Sequence, residues 1–537
     1  MKPRYAFWLL PLWLLACARM GQPSGGDKDT TPPKVTAELP PSGTVNFSGK
    51  QIVIKFDELV QLDNPLQKVV FSPPLDVKPD ISPVGYPARE IRIRFKAPLP
   101  AGRTYAIRFG DAIKDYHEGN VLQDYAYVFS TGPTLDSLKL TGKVMPTTGY
   151  DLPGKTFAGL YPADNFSDSL IYRQAPYYLA RVDAKSGLFT LDHLKAGTYV
   201  LVVFSDKNGN LTYQPYDEQI GFVLQAVQVP TDSVFQIPLF AETRPFALEN
   251  INEKSAGHWI VKFKGNPDGI EIETPGRRLL HYVDGENLHL WLRPARKGDT
   301  LHFVFRRGKD TLAARRVKAS LTPVDTLVFQ WDKKRLYPVD SLRLLANVPL
   351  TGMDVHKILV TPKRPGDSIT LNRMGLPVFR FGYDDERKKA GIRILPGALT
   401  GFNGLANTDT LKTTVDFVPA RETGNYTLVW PGAPKGHLIA ELTGLKGEKI
   451  FRRLRVHNGR RFAFPYLLPG KYRLRFVRDT NGNGRWDTGS WKDRRLPEPV
   501  IVYPKIIEIR ANWDVEEKFQ SAGSSAPKAP AGLRNAK

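Results

Sequence analysis

Alternation of apolar and polar residues with period two is the feature that most limits the folds open to this chain. Ile91, Ile93 and Phe95 are interleaved with Arg92 and Arg94; Leu301, Phe303 and Phe305 with His302 and Val304; Tyr472, Leu474 and Phe476 with Arg473 and Arg475. Successive side chains of a strand point to opposite faces, so these stretches read as half-exposed antiparallel strands. No long stretch carries a convincing helical period. The 45 glycines and 44 prolines among 537 residues favour short strands joined by turns. The length corresponds to about three to five domains. The expected fold class is all-β, as tandem β-sandwich modules.

The only cysteine, Cys17, closes the run Leu14-Leu15-Ala16-Cys17. Upstream lie Lys2 and Arg4 and an apolar stretch from Ala6 to Ala16, the order of charge, apolar core and small residue found in a secretory signal peptide. With cysteine at the cleavage point, the segment resembles a bacterial lipoprotein lipobox. That resemblance implies cleavage before Cys17 and acylation of its thiol and of the new amino terminus, so that lipid tethers the chain to a membrane. The apolar run is too short for the ~20 residues of a spanning helix. With the thiol carrying lipid, no disulfide forms and each module is held by its core alone.

The formal net charge is +22. Nucleic acid is a poor partner for an exported chain, and no basic helix or RNA-binding signature appears. The excess is spread along strands, as in Arg92/Arg94, Arg306/Arg307 and Arg473/Arg475. It reads as a basic solvated face, or as attraction to anionic lipid head groups, lipopolysaccharide or acidic glycan.

Organisation follows from composition and internal repeats. Residues 1–16 are the signal peptide and 17–30 a Gly/Pro/Ser/Asp-rich lipidated tether. In residues 31–132, Pro40-Pro41-Ser42-Gly43, Phe56-Asp57-Glu58-Leu59-Val60, Leu99 through Thr104-Tyr105, Gly110 to Asp115, Glu118-Gly119-Asn120 and Phe129-Ser130-Thr131 occur in order. Together they resemble the bacterial Ig-like domain named after the S-layer protein SbsA, which implies a seven-strand sandwich used as a spacer. A repeat sets Phe189–Asn210 against Phe462–Asn483. Leu194, Gly197, Tyr199, Leu201, Asp206, Asn208 and Asn210 recur as Leu467, Gly470, Tyr472, Leu474, Asp479, Asn481 and Asn483. The Leu-x-x-Gly-x-Tyr run resembles the transthyretin-like or carboxypeptidase-regulatory-like sandwich, assigned to 136–242 and 423–515. Residues 243–322 form a small β module. Ile392-Arg393-Ile394, Gly404 and Phe417 echo Ile107-Arg108-Phe109, Gly119 and Phe129, making 323–420 a degenerate Ig-like module. Residues 516–537 read as a disordered tail.

The sharpest chemical motif runs from Asp479 to Asp487. Asp479, Asn481, Asn483 and Asp487 place oxygen donors at positions 1, 3, 5 and 9, with Gly484 at 6 and the Arg485 carbonyl at 7. The pattern repeats the front of an EF-hand calcium loop, because calcium takes six to eight hard oxygens and alternate residues of a tight loop point inward. Position 12 is Ser490 rather than a bidentate Glu, so the expected Ca2+ site is weak and structural. Asp206, Asn208 and Asn210 begin the earlier copy, which Asp217 or Glu218 would close. The competing reading is that Asn-Gly and Gly-Asn pairs are simply turns. Tyr213 and Trp486 hold the same offset from the leading Asp, as an aromatic pinning each loop would. Trp486 and Trp491 are alternatively an exposed platform for stacking sugar rings, although aromatics near loops more often serve packing. Trp259, Trp291, Trp331, Trp430 and Trp513 show no clustering in sequence.

Enzyme signatures are missing: no Gly-x-Ser-x-Gly elbow, His-Glu-x-x-His helix, P-loop or Rossmann glycine run. His289 and His302 read as outward sheet positions, Asp192 and His193 as neighbours on opposite faces of a strand, and Asp384 to Lys389 as a solvated hairpin tip. The chain resembles a modular Bacteroidota-type lipoprotein. The expectation is a non-catalytic, lipid-anchored envelope protein acting as a scaffold of Ig-like modules, with a surface glycan-binding or calcium-dependent adhesion lipoprotein as the alternative. Ala18 after the lipidated cysteine favours the outer membrane by resemblance. Arg19, Met20 and Gly21 lean towards its periplasmic leaflet, while Asp27 and Asp29 keep the surface open.

Overall fold

The alternating segments become strands, and the chain is all-β. In the computed structural model the described residues are 29–147, 149–294, 296–321, 326–382, 386–447 and 449–520. Cys17 and the expected signal segment lie outside them. The only α-helix among the described residues is the four-residue Pro65–Lys68. None of their helices is long and apolar enough to cross a membrane. The chain divides into two units: one of residues up to 139 with 176–179 and 191–197, and one of 140–175, 180–190 and residues from 198 onward.

In the first unit Gln51–Leu62 pairs antiparallel with Val35–Leu39, Ala88–Arg94 and Ile113–Asp115. Ile52 faces Ile93 and Ile54 faces Ile91 across that ladder, and all four are fully buried. A second sheet of Val70–Ser72, Thr104–Arg108 and Ala126–Ser130 supplies Tyr105, Ile107, Tyr127 and Phe129 to the same core. The Glu118-Gly119-Asn120 motif is a turn capped by Asp115, whose carboxylate accepts the three successive backbone N–H groups at 2.6, 3.0 and 2.8 Å. Gly119 sits there at φ 80°, where a side chain is strained.

The second unit contains two sandwiches with one topology. In the earlier, Thr156–Pro162 pairs with Gly197–Ser205, which then pairs with Gln219–Phe222 and Val227–Val229. In the later, His437–Thr443 pairs with Gly470–Asp479, which pairs with Val500–Val502 and Ile507–Ile509. Each closes with its last strand parallel to its first: Val234–Ala241 with Leu138–Pro146, and Asp514–Lys518 with Gly424–Val429. The repeat also extends to backbone conformation. His193 and Tyr466, each one residue before the repeated leucine, sit at φ 56° and 55°. That left-handed residue interrupts the alternation expected of Asp192 and His193.

Between these sandwiches lie two further groups of sheets. Ala247–Ser255, His258–Lys264, Asn287–Arg293 and Arg278–Asp284 form one sheet, and Glu271–Glu273, Thr300–Arg307 and Asp310–Lys318 another, around Trp259, Leu290, Phe303 and Phe305. Phe329–Trp331, Ser341–Ala346, Pro377–Arg380 and Ser368–Leu371 then face Arg335–Leu336, Leu411–Phe417, Lys389–Ile394 and Ile358–Thr361 over Leu342, Phe379, Ile392 and Val415.

Three expectations are corrected. The start of the expected tail is strand: Asp514–Lys518 pairs with Gly424–Val429, and Glu517 takes the hydroxyls of Tyr426 and Tyr503 at 2.9 and 2.6 Å. The outer face around Arg473 and Arg475 is covered rather than solvated. Arg475 and Arg453 both donate to Glu441, whose side chain is 3% exposed, and Arg473 lies 4.5 Å from the Tyr150 ring centroid. In the charge run 384–389, Arg387 is buried between Phe381 and Phe417 and grips Asp367 at 2.6 and 2.9 Å.

The first sandwich carries an acid-sensitive cluster. Lys114 and Lys68 hydrogen-bond Asp63 at 2.7 and 2.8 Å and hold its carboxyl down to about 2. Its value in the unfolded chain is about 3.9, so the stabilisation is complete above that value and is lost as pH falls towards 2. Asp63→Asn is expected to flatten the fall in denaturation midpoint between about pH 4 and 2 relative to wild type.

Candidate functional site: the paired Asp/Asn loops

Both repeated loops leave the end of a sandwich strand and are closed by the same hydrogen bonds. Asp206 caps the first, accepting Gly209 and Asn210 N–H on one oxygen and Leu211 N–H on the other, at 2.8 to 3.2 Å. Asp479 caps the second, accepting Asn483 N–H at 3.1 Å and Gly484 N–H at 2.8 Å. Gly484 adopts φ 77° and packs so closely on Arg455 that a side chain there would collide with its guanidinium.

A buried glutamate then ties each loop at both ends. Glu218 takes the N–H groups of Lys207 and Gln214 at 2.7 and 2.8 Å. Glu498 takes those of Thr480 and Asp487 at 2.6 and 3.1 Å. In both copies the donors are the residues one and eight after the leading Asp. Glu218 and Glu498 are 2% and 6% exposed. Burial pushes the Glu218 carboxyl up, while the N–H groups of Lys207 and Gln214 oppose that rise. Of the two closing residues expected for the first loop, Glu218 is the one engaged, and Asp217 pairs outward with Arg244 at 2.9 Å. Glu498 escaped sequence reading because it stands nineteen residues after Asp479, whereas Glu218 stands twelve after Asp206.

The amide oxygens of the second loop are committed to backbone. Asn481 Oδ1 accepts Asn483 N–H and Asn483 Oδ1 accepts Arg485 N–H, at 3.0 and 2.9 Å. Their amide N–H groups point at Asp487, donating to Oδ2 at 2.5 and 2.6 Å. Among the described residues no group of three or more His, Cys, Asp or Glu is placed to hold a metal ion. In this arrangement Asp487 is answered by amide hydrogens, and calcium would bind once both amides turn their oxygens inward.

The aromatics do different work from a sugar platform. Trp486 is half-buried and its indole N–H donates to the Glu498 carbonyl at 3.0 Å. Trp491 is fully buried, which removes it from the platform alternative and agrees with the packing one. Its ring lies edge-on to Phe222 and Phe166, at centroid distances of 5.0 and 6.2 Å, and Arg494 stacks on it at 3.7 Å. Its indole N–H donates to the Asp168 carbonyl at 3.0 Å, and its backbone N–H to Glu242 Oε1 at 2.6 Å. Arg494 also forms an ion pair with Asp168.

Glu242 links the two loops. Its other oxygen accepts the hydroxyl of Tyr213, the aromatic of the first loop, at 2.8 Å. Burial, and then the charge of Glu242, push the Tyr213 phenol up, so it stays a proton donor. Close approach completes the dock. Thr488 Oγ1 donates to the Ala241 carbonyl at 2.6 Å, and a Cβ on Gly489 would stand 2.5 Å from Phe240. The segment 486–495 of the later sandwich is therefore plugged into the earlier one. Glu242, Asp168 and Arg494 carry no sequence signal, since the partners they meet in this dock lie 249 to 326 positions away.

The histidines fall elsewhere. His289 is half-buried, accepting or donating at 2.9 Å to His258, which stacks on Trp291 at 3.7 Å. Burial, and then the neighbouring His289, push His258 down to about 4. No nucleophile or carboxylate joins that stack among these contacts.

Residues 29–131 match the bacterial Ig-like domain. The matched segment is about a fifth of the chain and is the first sandwich described above. No curated protein matches the chain. Among solved structures, the S-layer protein SbsC is similar at 13% identity and a TM-score of 0.15, over 88% of this chain and 66% of that one. This chain thus spans just under two thirds of that structure. The major pilin subunit of Bacillus cereus is similar at 9% identity and a TM-score of 0.15, over 72% of this chain and 99% of that one. The N-terminal four Ig domains of Dscam1 follow at 11% identity and a TM-score of 0.14, over 64% and 95%.

Truncating a fully buried aromatic typically costs about 3–5 kcal/mol. Trp491→Ala is expected to lower stability by roughly that amount and to expose 486–495 to proteolysis, whereas Trp486→Ala, with one backbone hydrogen bond at stake, costs about 1–2 kcal/mol. Comparative melting and limited proteolysis check both. Adding calcium to chelator-treated protein is expected to move the melting temperature by less than about 1 °C. A rise of several degrees, as a tight ligand gives, would show that the amides turn and the loop is loaded.

Proposed function

We propose that this protein is a non-catalytic, lipid-anchored envelope scaffold whose sandwiches hold an interaction surface away from the membrane. The observation that carries the reading is the buried Trp491 plug. A chain that only needs to string modules together has no use for it. A scaffold does, because a partner surface keeps its place only if the modules bearing it are fixed to one another. The plug uses a fully buried indole, two hydrogen bonds and an ion pair for that purpose. The Ig-like sandwich of residues 29–131 fits the role of spacer.

Anchoring rests on the sequence around Cys17, and an outer-membrane position, facing the periplasm, rests on Ala18 and the absence of acidic residues directly after it. A glycan-binding surface lipoprotein is the second reading. It is favoured by an exposed tryptophan beside unpaired cations, described below.

Cys17→Ser is expected to move the protein from the membrane fraction to the soluble fraction and to abolish labelling by a fatty-acid probe. Retention of both would sink the lipid anchor. Protease treatment of intact cells separates the two leaflets: protection until the outer membrane is broken supports the periplasmic scaffold, and loss of the sandwiches with a periplasmic control intact supports the surface binder.

A further inference from the structure

The second unit contains a cavity of about 510 Å3 where the turn after Leu411–Phe417 meets the turn before Asp514–Lys518. This lies within the range of about 300–1,000 Å3 usual for small-ligand sites. Its wall includes Trp513, Arg387, Lys388, Arg421, Asn512 and Asp514.

Two observations separate it from a mere crevice. Trp513 is 49% exposed, while Trp259, Trp291, Trp430 and Trp491 are each 5% exposed or less. A large apolar ring left in water at the mouth of a cavity costs hydrophobic stabilisation, which a stacking partner would recover. Arg510, itself paired with Glu508 at 3.1 Å, lies over one face of the ring at 4.8 Å from its centroid and leaves the other face for a ligand. Next, Lys388 and Arg421 form no ion pair among the described residues, although twenty or so other basic side chains of the chain do. The side chain of Arg387 is held away from the cavity: the residue is 3% exposed, packed against Phe381 and Phe417, with its terminal nitrogens on Asp367, Gly382 and Pro362.

We infer that this cavity binds an acidic sugar, a uronic acid at the end of a short glycan. The ring's C–H face stacks on Trp513. The carboxylate meets Arg421 and Lys388, whose charges are free to receive it. Hydroxyls find an acceptor in Asp514, which keeps one oxygen after taking Asn425 Nδ2 at 2.6 Å. The same Asp514 disfavours a doubly charged phosphate, which gains from the cations but is repelled by the carboxylate. The indole is superfluous for an inorganic anion. The site does not depend on the scaffold reading, since a periplasmic or a surface protein meets acidic glycan equally well.

The test uses the full chain and two probes: a trimer of galacturonic acid and the uncharged trimer of galactose. Calorimetry and tryptophan fluorescence are expected to show saturable binding of the acidic trimer that weakens with salt. Trp513→Ala and Arg421→Glu should each weaken it about tenfold or more, and Trp513→Phe should restore most of it. Both positions are exposed, and matching melting temperatures would confirm that the variants fold. Equal binding of the neutral trimer, displacement by uridine monophosphate at lower concentration, binding indifferent to Trp513→Ala, or no binding would each overturn the assignment.

Discussion

The carboxylate of Glu242 is the constraint on which the later part of the structure turns. One oxygen holds Tyr213, which belongs to the Asp206 loop, and the other holds the backbone of Trp491, which belongs to the Asp479 segment. A half-buried charge survives only if its hydrogen bonds are made, and these two are made by donors from different sandwiches. Neither loop can shift without breaking the pair. The indole of Trp491 adds the apolar area that makes the arrangement favourable, and Arg494 closes over it. The two Asp/Asn loops are thus two halves of one joint.

Each half is built before the joint is made. Leading aspartates absorb the N–H groups of the tight turn, and Glu218 and Glu498 absorb those at its two ends. Residues such as Thr480 and Asp487 are held in place although they belong to irregular backbone. Rigid loops lose little entropy on docking, so the contact area of Trp491 is converted into stability with small loss.

Fold class was legible because period two is a backbone property. Ile52, Ile54, Ile91 and Ile93 have to share a face, whatever packs on it. The repeat was legible for a similar reason: Leu467 follows the left-handed Tyr466, and Gly470 and Tyr472 begin the strand paired with Ile507–Ile509, positions that only certain residues suit. What lies over a polar face is a different matter. Arg473 and Arg475 alternate as a solvated strand would, but Tyr150 and Glu441 cover them, and nothing in the local pattern records partners about 320 and 34 positions away. The same blindness left Trp491 open between packing and an exposed platform until the sandwich that receives it is known.

Charge completes the picture. A net +22 spread over strands reads as one diffuse basic surface, yet its members meet different fates. Arg453 and Arg475 converge on buried Glu441, and Arg387 on buried Asp367, so these cations are spent on structure. Such pairs contribute little net stability, because desolvation offsets attraction, but they fix which strand lies against which. Screening at physiological salt confines the remaining cations to a range of about 8 Å. Long-range attraction from the total is therefore weak, and selectivity for an anion falls to places where unpaired cations sit beside a shaped wall. Lys388 and Arg421 meet that condition next to Trp513, where an aromatic ring limits what the anion can be attached to.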